Sequence, residues 1–141
     1  MTALRSVFLS LSVSLIVALV LPHSALAATT ADLQRGKYLF NVSGCVGCHT
    51  DKGGETLAGG RKLVTPFGSF YTPNITSDQQ TGIGNWSDRD FLRALRMGIS
   101  PQKTYYFPAF PFTSFSKLSD QDILAIKAYI WTLKPVKKTQ S

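Results

Sequence analysis

The N-terminal part of the chain carries its longest apolar run. Val7 to Leu21 is interrupted only by three serines, follows Arg5, and leads to the small-residue sequence Ala25-Leu26-Ala27. This order is typical of a secretory signal peptide with its cleavage site. The run has 15 residues, whereas a membrane-spanning helix needs about 20. We therefore expect residues 1–27 to be a signal peptide and residues 28–141 to form one mature domain; the alternative is an uncleaved N-terminal anchor.

Three later segments have apolar residues at helical spacing behind a polar N-cap. Each starts with Ser or Thr followed three residues later by Asp, which predicts a capping box. The N-caps are Thr29, Ser87 and Ser119. The first helix is predicted over Thr30 to Ser43, the second ends at Gly98, and the third ends before Pro135. The tail after Pro135 is expected to be frayed.

A five-residue motif, Cys45-Val46-Gly47-Cys48-His49, follows the first predicted helix and contains both cysteines of the chain. Two thiols at this spacing can add to the two vinyl groups of one haem, and the next side chain can bind its iron. The alternatives are a redox disulfide, which would need a βαβ setting, and a zinc site, which needs four ligands. The mature chain offers only these two thiols and one imidazole, so the motif predicts one covalently attached haem c.

Two long segments have no sustained period. Residues 51–85 contain seven glycines and two prolines, and residues 101–117 are rich in aromatic residues and proline. Loops of this length are uncommon in a small domain unless they are functional. We expect them to wrap the haem. Packing against it is predicted for Leu63, Val64, Phe67, Phe70 and Tyr71.

The charge balance is basic, with a formal net charge of +7 over 141 residues. Loss of Arg5 with the signal leaves 14 Lys and Arg residues against eight Asp and Glu residues. Such a surface steers docking to an acidic partner or to anionic lipid; a generally solvated basic surface is the alternative. There is no basic helix or aromatic-interleaved basic stripe, which excludes nucleic acid. Nor does any arrangement of acids, bases and nucleophiles predict an enzyme.

The order of helix, haem motif, wrapping loop, helix, aromatic loop and helix resembles a class I cytochrome c. The chain is most similar to the haem domains in cytochrome subunits of bacterial membrane-bound alcohol and gluconate dehydrogenases. Three stretches carry the resemblance, and they are Gly59 to Gly68, Tyr71 to Trp86, and Tyr106 to Phe112. It implies an all-α fold in which crossed N- and C-terminal helices, with Gly36 and Phe40 against Tyr129 and Ile130, surround the haem.

The resemblance also bears on the iron ligands. It implies covalent attachment at Cys45 and Cys48 and axial ligation by His49. Many members have Met where this chain has Phe110, which cannot ligate, so Met97 becomes the candidate sixth ligand. An open iron, or ligation by Tyr105 or Tyr106, is the alternative. Haem propionates need donors if they are partly buried. The candidate donors are Arg61, Asn74 and Trp86.

The sequence thus favours a periplasmic single-electron carrier. Its donor would be a dehydrogenase or quinol-oxidising complex and its acceptor an oxidase or another cytochrome. Members of the family usually carry three haem domains in one chain, and this one has a single haem motif. A haem enzyme or gas sensor with an open iron is one alternative, and an electron-transfer subunit of a larger dehydrogenase is another. Contact with the membrane would be peripheral unless the signal remains.

Overall fold

The structure, a computed structural model, describes residues 28–139, so the predicted signal peptide lies outside the described residues. Within this range there are five helices and two strands. They are α1 (Thr30–Val42), α2 (Cys45–His49), β1 (Lys62–Thr65), β2 (Gly68–Tyr71), α3 (Asp88–Met97), α4 (Phe112–Phe115) and α5 (Asp120–Thr132). No helix among residues 28–139 is long and apolar enough to cross a membrane.

Helices α1 and α5 form the main packed pair, and α3 packs against α5. Gly36 is buried at the closest approach, since a Cβ built on it would overlap the backbone carbonyl of Ala125. Beside this contact the rings of Phe40 and Tyr129 pack with centroids 5.2 Å apart. Gly36 therefore lies at a close contact between α1 and α5. The buried cluster around this pair contains Leu39, Phe40, Leu57, Ile83, Phe91, Ile123, Ile126 and Ile130.

The predicted helix starts are confirmed, with one difference in how they are capped. Thr29 and Ser87 each form a complete capping box. Ser119 accepts a 3.1 Å hydrogen bond from the Asp122 N–H, but the Asp122 carboxylate forms a close ion pair with Arg35 of α1. Asp122, in the first turn of α5, therefore links α5 to α1.

The all-α prediction is wrong for part of the first wrapping loop. β1 and β2 form an antiparallel hairpin in which Leu63 faces Phe70 and Thr65 faces Gly68. Pro66 and Phe67 make the two-residue turn, and Gly68 follows it with φ of 126°, a value that favours glycine. Strands of four residues are too short to show a clear period of two, and the glycines and prolines around them predict a loop.

Residues 136–138 are anchored, which corrects the predicted fraying for this part of the tail. The Val136 N–H donates to Thr76 Oγ1 at 3.1 Å, and the Val136 carbonyl accepts from Asn74 Nδ2 at 2.7 Å. The Lys138 N–H donates to Thr81 Oγ1 at 2.9 Å. Buried side chains of the wrapping loop therefore use the tail backbone as their hydrogen-bonding partner.

Replacement of Gly36 by Ala should destabilise the domain. Ala would gain about 1 kcal/mol of helix propensity, but its Cβ would meet the Ala125 carbonyl, and overpacking of this kind costs typically 1–3 kcal/mol or more. We expect a lower urea midpoint for Gly36→Ala than for wild type. The exposed α1 residue Gln34 provides the control, because Gln34→Ala should leave the midpoint nearly unchanged. An unchanged midpoint for Gly36→Ala would contradict the close packing.

Stability should fall in acid because the cap carboxylates are held in their charged form. Hydrogen bonds from the N-cap hydroxyls lower the pKa of Asp32 and Asp90, and the Arg35 guanidinium lowers the pKa of Asp122, below the ordinary 3.8. A depressed folded-state pKa gives stability above the unfolded pKa that is lost as the pH falls through the folded value. The urea midpoint should therefore drop below about pH 4. The triple Asp→Asn variant should show a shallower drop.

Candidate functional site

A large cavity occupies the space that the helices leave between them. Its volume is about 510 Å³, within the about 300–1,000 Å³ of typical cofactor sites. α2, the hairpin, the loop after it, α3, the aromatic loop and α5 all contribute walls. The lining is mainly apolar, and its aliphatic and aromatic members include Leu63, Phe70, Ile75, Ile83, Phe91, Leu95, Phe107, Phe110, Phe115, Ile126 and Ile130.

Helix α2 places the predicted attachment residues on the cavity wall. Gly44 provides the turn into it with φ of 69°. Cys45 and Cys48 are three residues apart and so share one helix face, and both line the cavity. Both are free thiols, and burial raises the pKa of Cys45 to about 11. A raised thiol pKa disfavours the thiolate that a redox disulfide needs.

His49 is held in one tautomer. Its Nδ1 lies 2.8 Å from the carbonyl oxygen of Pro73, which can only accept, so Nδ1 carries the proton. Burial lowers the pKa of His49 although this bond opposes the shift. The ring is therefore neutral, with its lone pair on Nε2. The Pro73 carbonyl was not identifiable from sequence, because any residue type could supply a backbone carbonyl.

The predicted propionate donors are not all brought together. Trp86 and Asn74 line the cavity, whereas Arg61 is exposed and is not among the lining residues. Both amide hydrogens of Asn74 are used within the chain, by Thr81 and by Val136. Asn74 thus fixes the wrapping loop and has no donor left for a propionate, which leaves Trp86 as the predicted donor that fits.

Met97, the predicted sixth ligand, lies outside the cavity lining, and 54% of its side chain is exposed. α3 turns Phe91, Ala94 and Leu95 to the cavity. Met97 is the last residue of α3 and its side chain is exposed, although it is close to the aromatic loop along the chain.

The loops match their predicted role in part. Leu63, Phe70 and Tyr71 line the cavity, whereas Val64 and Phe67 are exposed. The two-residue period of the hairpin explains the difference for Val64, because neighbours on a strand face opposite sides. The aromatic loop contributes Tyr106, Phe107, Phe110 and Phe115 to the lining, which sequence reasoning placed near the haem without assigning individual positions.

The donor set of this cavity fits a covalently bound haem. An apolar cavity has two thiols on one helical turn and, directly after them, a neutral imidazole whose second nitrogen is fixed by a carbonyl, as is usual for a metal-ligating histidine. The zinc alternative does not fit, since no group of three or more His, Cys, Asp or Glu residues within 28–139 could hold a metal ion.

Comparison with known proteins agrees with this geometry. The family described as cytochrome c matches residues 33–134. A nicotinate dehydrogenase subunit of Pseudomonas putida is 43% identical over 86% of this chain and 10% of its own length. The gluconate 2-dehydrogenase cytochrome c subunit of Pantoea cypripedii is 42% identical over 81% of the chain and 27% of its own.

The third relative is the cytochrome c subunit of the quinone-dependent alcohol dehydrogenase of Gluconobacter oxydans, 42% identical over 77% of this chain and 23% of its own length. The chain thus spans between 10% and 27% of the length of these curated relatives. The family model covers most of the chain, and the second and third relatives are named as cytochrome c subunits of dehydrogenases. The chain belongs to the cytochrome c family, whose members carry electrons on covalently bound haem c.

Proposed function

We propose that residues 28–139 form a single-haem domain that passes one electron at a time between an exported dehydrogenase or quinol-oxidising complex and an oxidase or another cytochrome. The observation that carries this proposal is the apolar cavity whose wall presents Cys45, Cys48 and the tautomer-fixed His49. One haem is proposed because the chain has one Cys-Xaa-Xaa-Cys-His motif. The proposal includes the crossing of α1 and α5 in the manner of class I members.

Each functional side chain has a separate task. Cys45 and Cys48 would each add its S–H across a vinyl double bond, a step that needs no oxidant. His49 would give Nε2 to the iron. A bound haem supplies an iron that takes up one electron from the donor and releases one to the acceptor. The apolar walls exclude water, and His49 is the only Lys, Arg or His side chain among the residues that line the cavity.

The surface next to the cavity offers a docking site for the redox partner. An outer groove, lined by Thr65, Pro66, Phe67, Phe107, Pro108 and Ala109, lies between the hairpin tip and the aromatic loop. Phe107 lines both the groove and the cavity, and it stacks on Phe70 with centroids 3.8 Å apart. One layer of aromatic rings therefore separates a partner in the groove from the cofactor cavity.

The groove is apolar and its surroundings are basic. Phe67 is 84% exposed, an unusual state for a large apolar side chain that indicates an interaction site when its neighbours are also apolar. The segments 59–73 and 99–118, which build the groove, contain Arg61, Lys62, Lys103 and Lys117 but no Asp or Glu. We therefore infer that the occupant is a redox protein with an acidic rim around an apolar centre.

Two of the relatives are cytochrome c subunits of dehydrogenases. They favour a second form of the proposal, in which the domain is attached to a larger assembly and does not diffuse freely. Export to the periplasm is part of the proposal and rests on the sequence of residues 1–27.

Covalent attachment should depend on both thiols. Wild type matured in a host that attaches c-type haem should gain the mass of one haem and keep its colour through acid–acetone extraction. Cys45→Ala combined with Cys48→Ala should lose all covalent haem. His49→Ala should keep the thioether-bound mass but change the optical spectrum. A wild-type protein without covalent haem would contradict the proposed function.

Charge and aromatic contact at the groove should have separable effects on electron transfer. With a photoreduced acidic flavodoxin as the probe donor, Lys62→Glu should lower the bimolecular rate constant about tenfold at low salt and reduce its salt dependence. Phe67→Ser should lower the rate constant and leave the salt dependence unchanged, because it removes apolar contact only.

Two residues of α1 provide matched controls for that experiment. Lys37 and Tyr38 are exposed and lie outside the groove, so Lys37→Glu and Tyr38→Ser should change the rate constant much less. Equal effects of groove and control variants would indicate that the net charge alone steers the encounter, and would contradict the docking site.

A further inference from the structure

The iron ligands that the chain can supply are few. Histidine and methionine are the usual axial partners of haem in electron-transfer cytochromes. Within the described range these are His49 and Met97 alone, since Met1 and His23 lie in the segment 1–27. With His49 assigned to one side of the haem, the other side depends on Met97 or on an oxygen donor.

The last turn of α3, which carries Met97, is held in place by the residues on either side of Met97. Arg96 donates to the Ser116 carbonyl at 3.1 Å and to the Leu118 carbonyl at 2.6 Å. Gly98 donates to the Ala94 carbonyl at 3.0 Å and accepts from the Tyr106 N–H at 2.7 Å.

The ring of Phe112 closes the other side, because a Cβ built on Gly98 would lie 2.7 Å from it. Turning the last turn of α3 until Met97 faced the cavity would break the bonds of Arg96 and Gly98 together. The last turn of α3 therefore holds the thioether away from the cofactor.

Two of the oxygen-bearing side chains in the lining, Tyr106 and Asn74, make other contacts within the chain. Tyr106 is half-buried and its ring packs edge-on against Phe110, with centroids 5.7 Å apart. The Asn74 carbonyl oxygen accepts hydrogen bonds from the Thr76 N–H and hydroxyl. We therefore expect neither group to bind the iron.

We propose that the chain leaves the sixth position of its haem iron without a protein ligand, and that the cavity admits small neutral diatomic molecules, of the type of carbon monoxide, to the ferrous iron. This inference rests on the proposed haem attachment. We name a neutral ligand because the side chains that line the cavity carry little compensating charge. Phe110, Phe115 and Leu95 are apolar, and no lysine or arginine lines the cavity. An anion would lose its hydration without a compensating partner.

Optical spectroscopy of the holoprotein provides the test. Wild type should be high-spin in the ferric state, and carbon monoxide should shift the ferrous spectrum with saturable binding, whereas azide should bind the ferric form weakly. The Met97→Ala variant should leave these spectra and the carbon monoxide affinity unchanged. The same result is expected for His23→Ala in the full chain. A low-spin ferrous form that ignores carbon monoxide, or a Met97→Ala variant that changes spin state, would overturn the inference.

Phe110→Met gives the complementary result, because Phe110 lines the cavity. A thioether placed there should produce a low-spin spectrum with a thioether-to-iron band near the red edge. If it occupies the iron for about nine-tenths of the time, the apparent carbon monoxide affinity falls about tenfold. Phe110→Leu, which adds no ligand, should behave as wild type. If Phe110→Met changes neither spin state nor affinity, the iron is already filled and the inference fails.

Reductive titration separates this inference from the proposed function. Uptake of one electron per haem by a protein that ignores carbon monoxide would reject the open position and leave electron transfer intact. A protein without covalent haem would reject the proposed function itself.

Discussion

Both ends of the hairpin segment are attached to one residue, His49. Its backbone carbonyl accepts the Gly59 N–H at 2.8 Å, and its ring nitrogen meets the Pro73 carbonyl at 2.8 Å. The absence of a side chain at Gly59 makes this possible, since a Cβ there would overlap the backbone of Pro73. The position of the imidazole, the exit and return of the hairpin, and the edge of the cavity therefore depend on one local arrangement. A change that displaces the hairpin must also displace the ring.

This arrangement explains why an irregular chain can form a defined site. The helices supply a packed pair and a supporting α3, but they leave the centre of the domain to the cofactor. The loops are ordered by hydrogen bonds to α2 and to the C-terminal tail. Buried polar side chains such as Asn74 and Thr76 satisfy one another and the tail backbone, as buried polar groups generally must.

The sequence predicted those parts of the fold that local chemistry specifies. Capping boxes and apolar spacing located α1, α3 and α5, and the Cys-Xaa-Xaa-Cys-His motif located the cavity wall. Hydrogen bonds between distant segments were not predictable. The Pro73 carbonyl has no residue-type signature, and the tail could not be recognised as the partner of Asn74. The prediction for Met97 failed for a related reason. Proximity along the chain to the aromatic loop does not determine whether a side chain faces the cavity.

The anchored tail links the end of the described chain to the cavity. Val136 and Lys138 bond to Asn74, Thr76 and Thr81, and two of these, Asn74 and Thr81, also line the cavity. Proteolytic removal of the chain from Val136 onward would leave the amide of Asn74 without its 2.7 Å partner inside the protein. Loss of a surface segment would thereby loosen the wall that surrounds the cofactor. A protease acting at this end would thus alter the haem environment without cutting any residue that lines it.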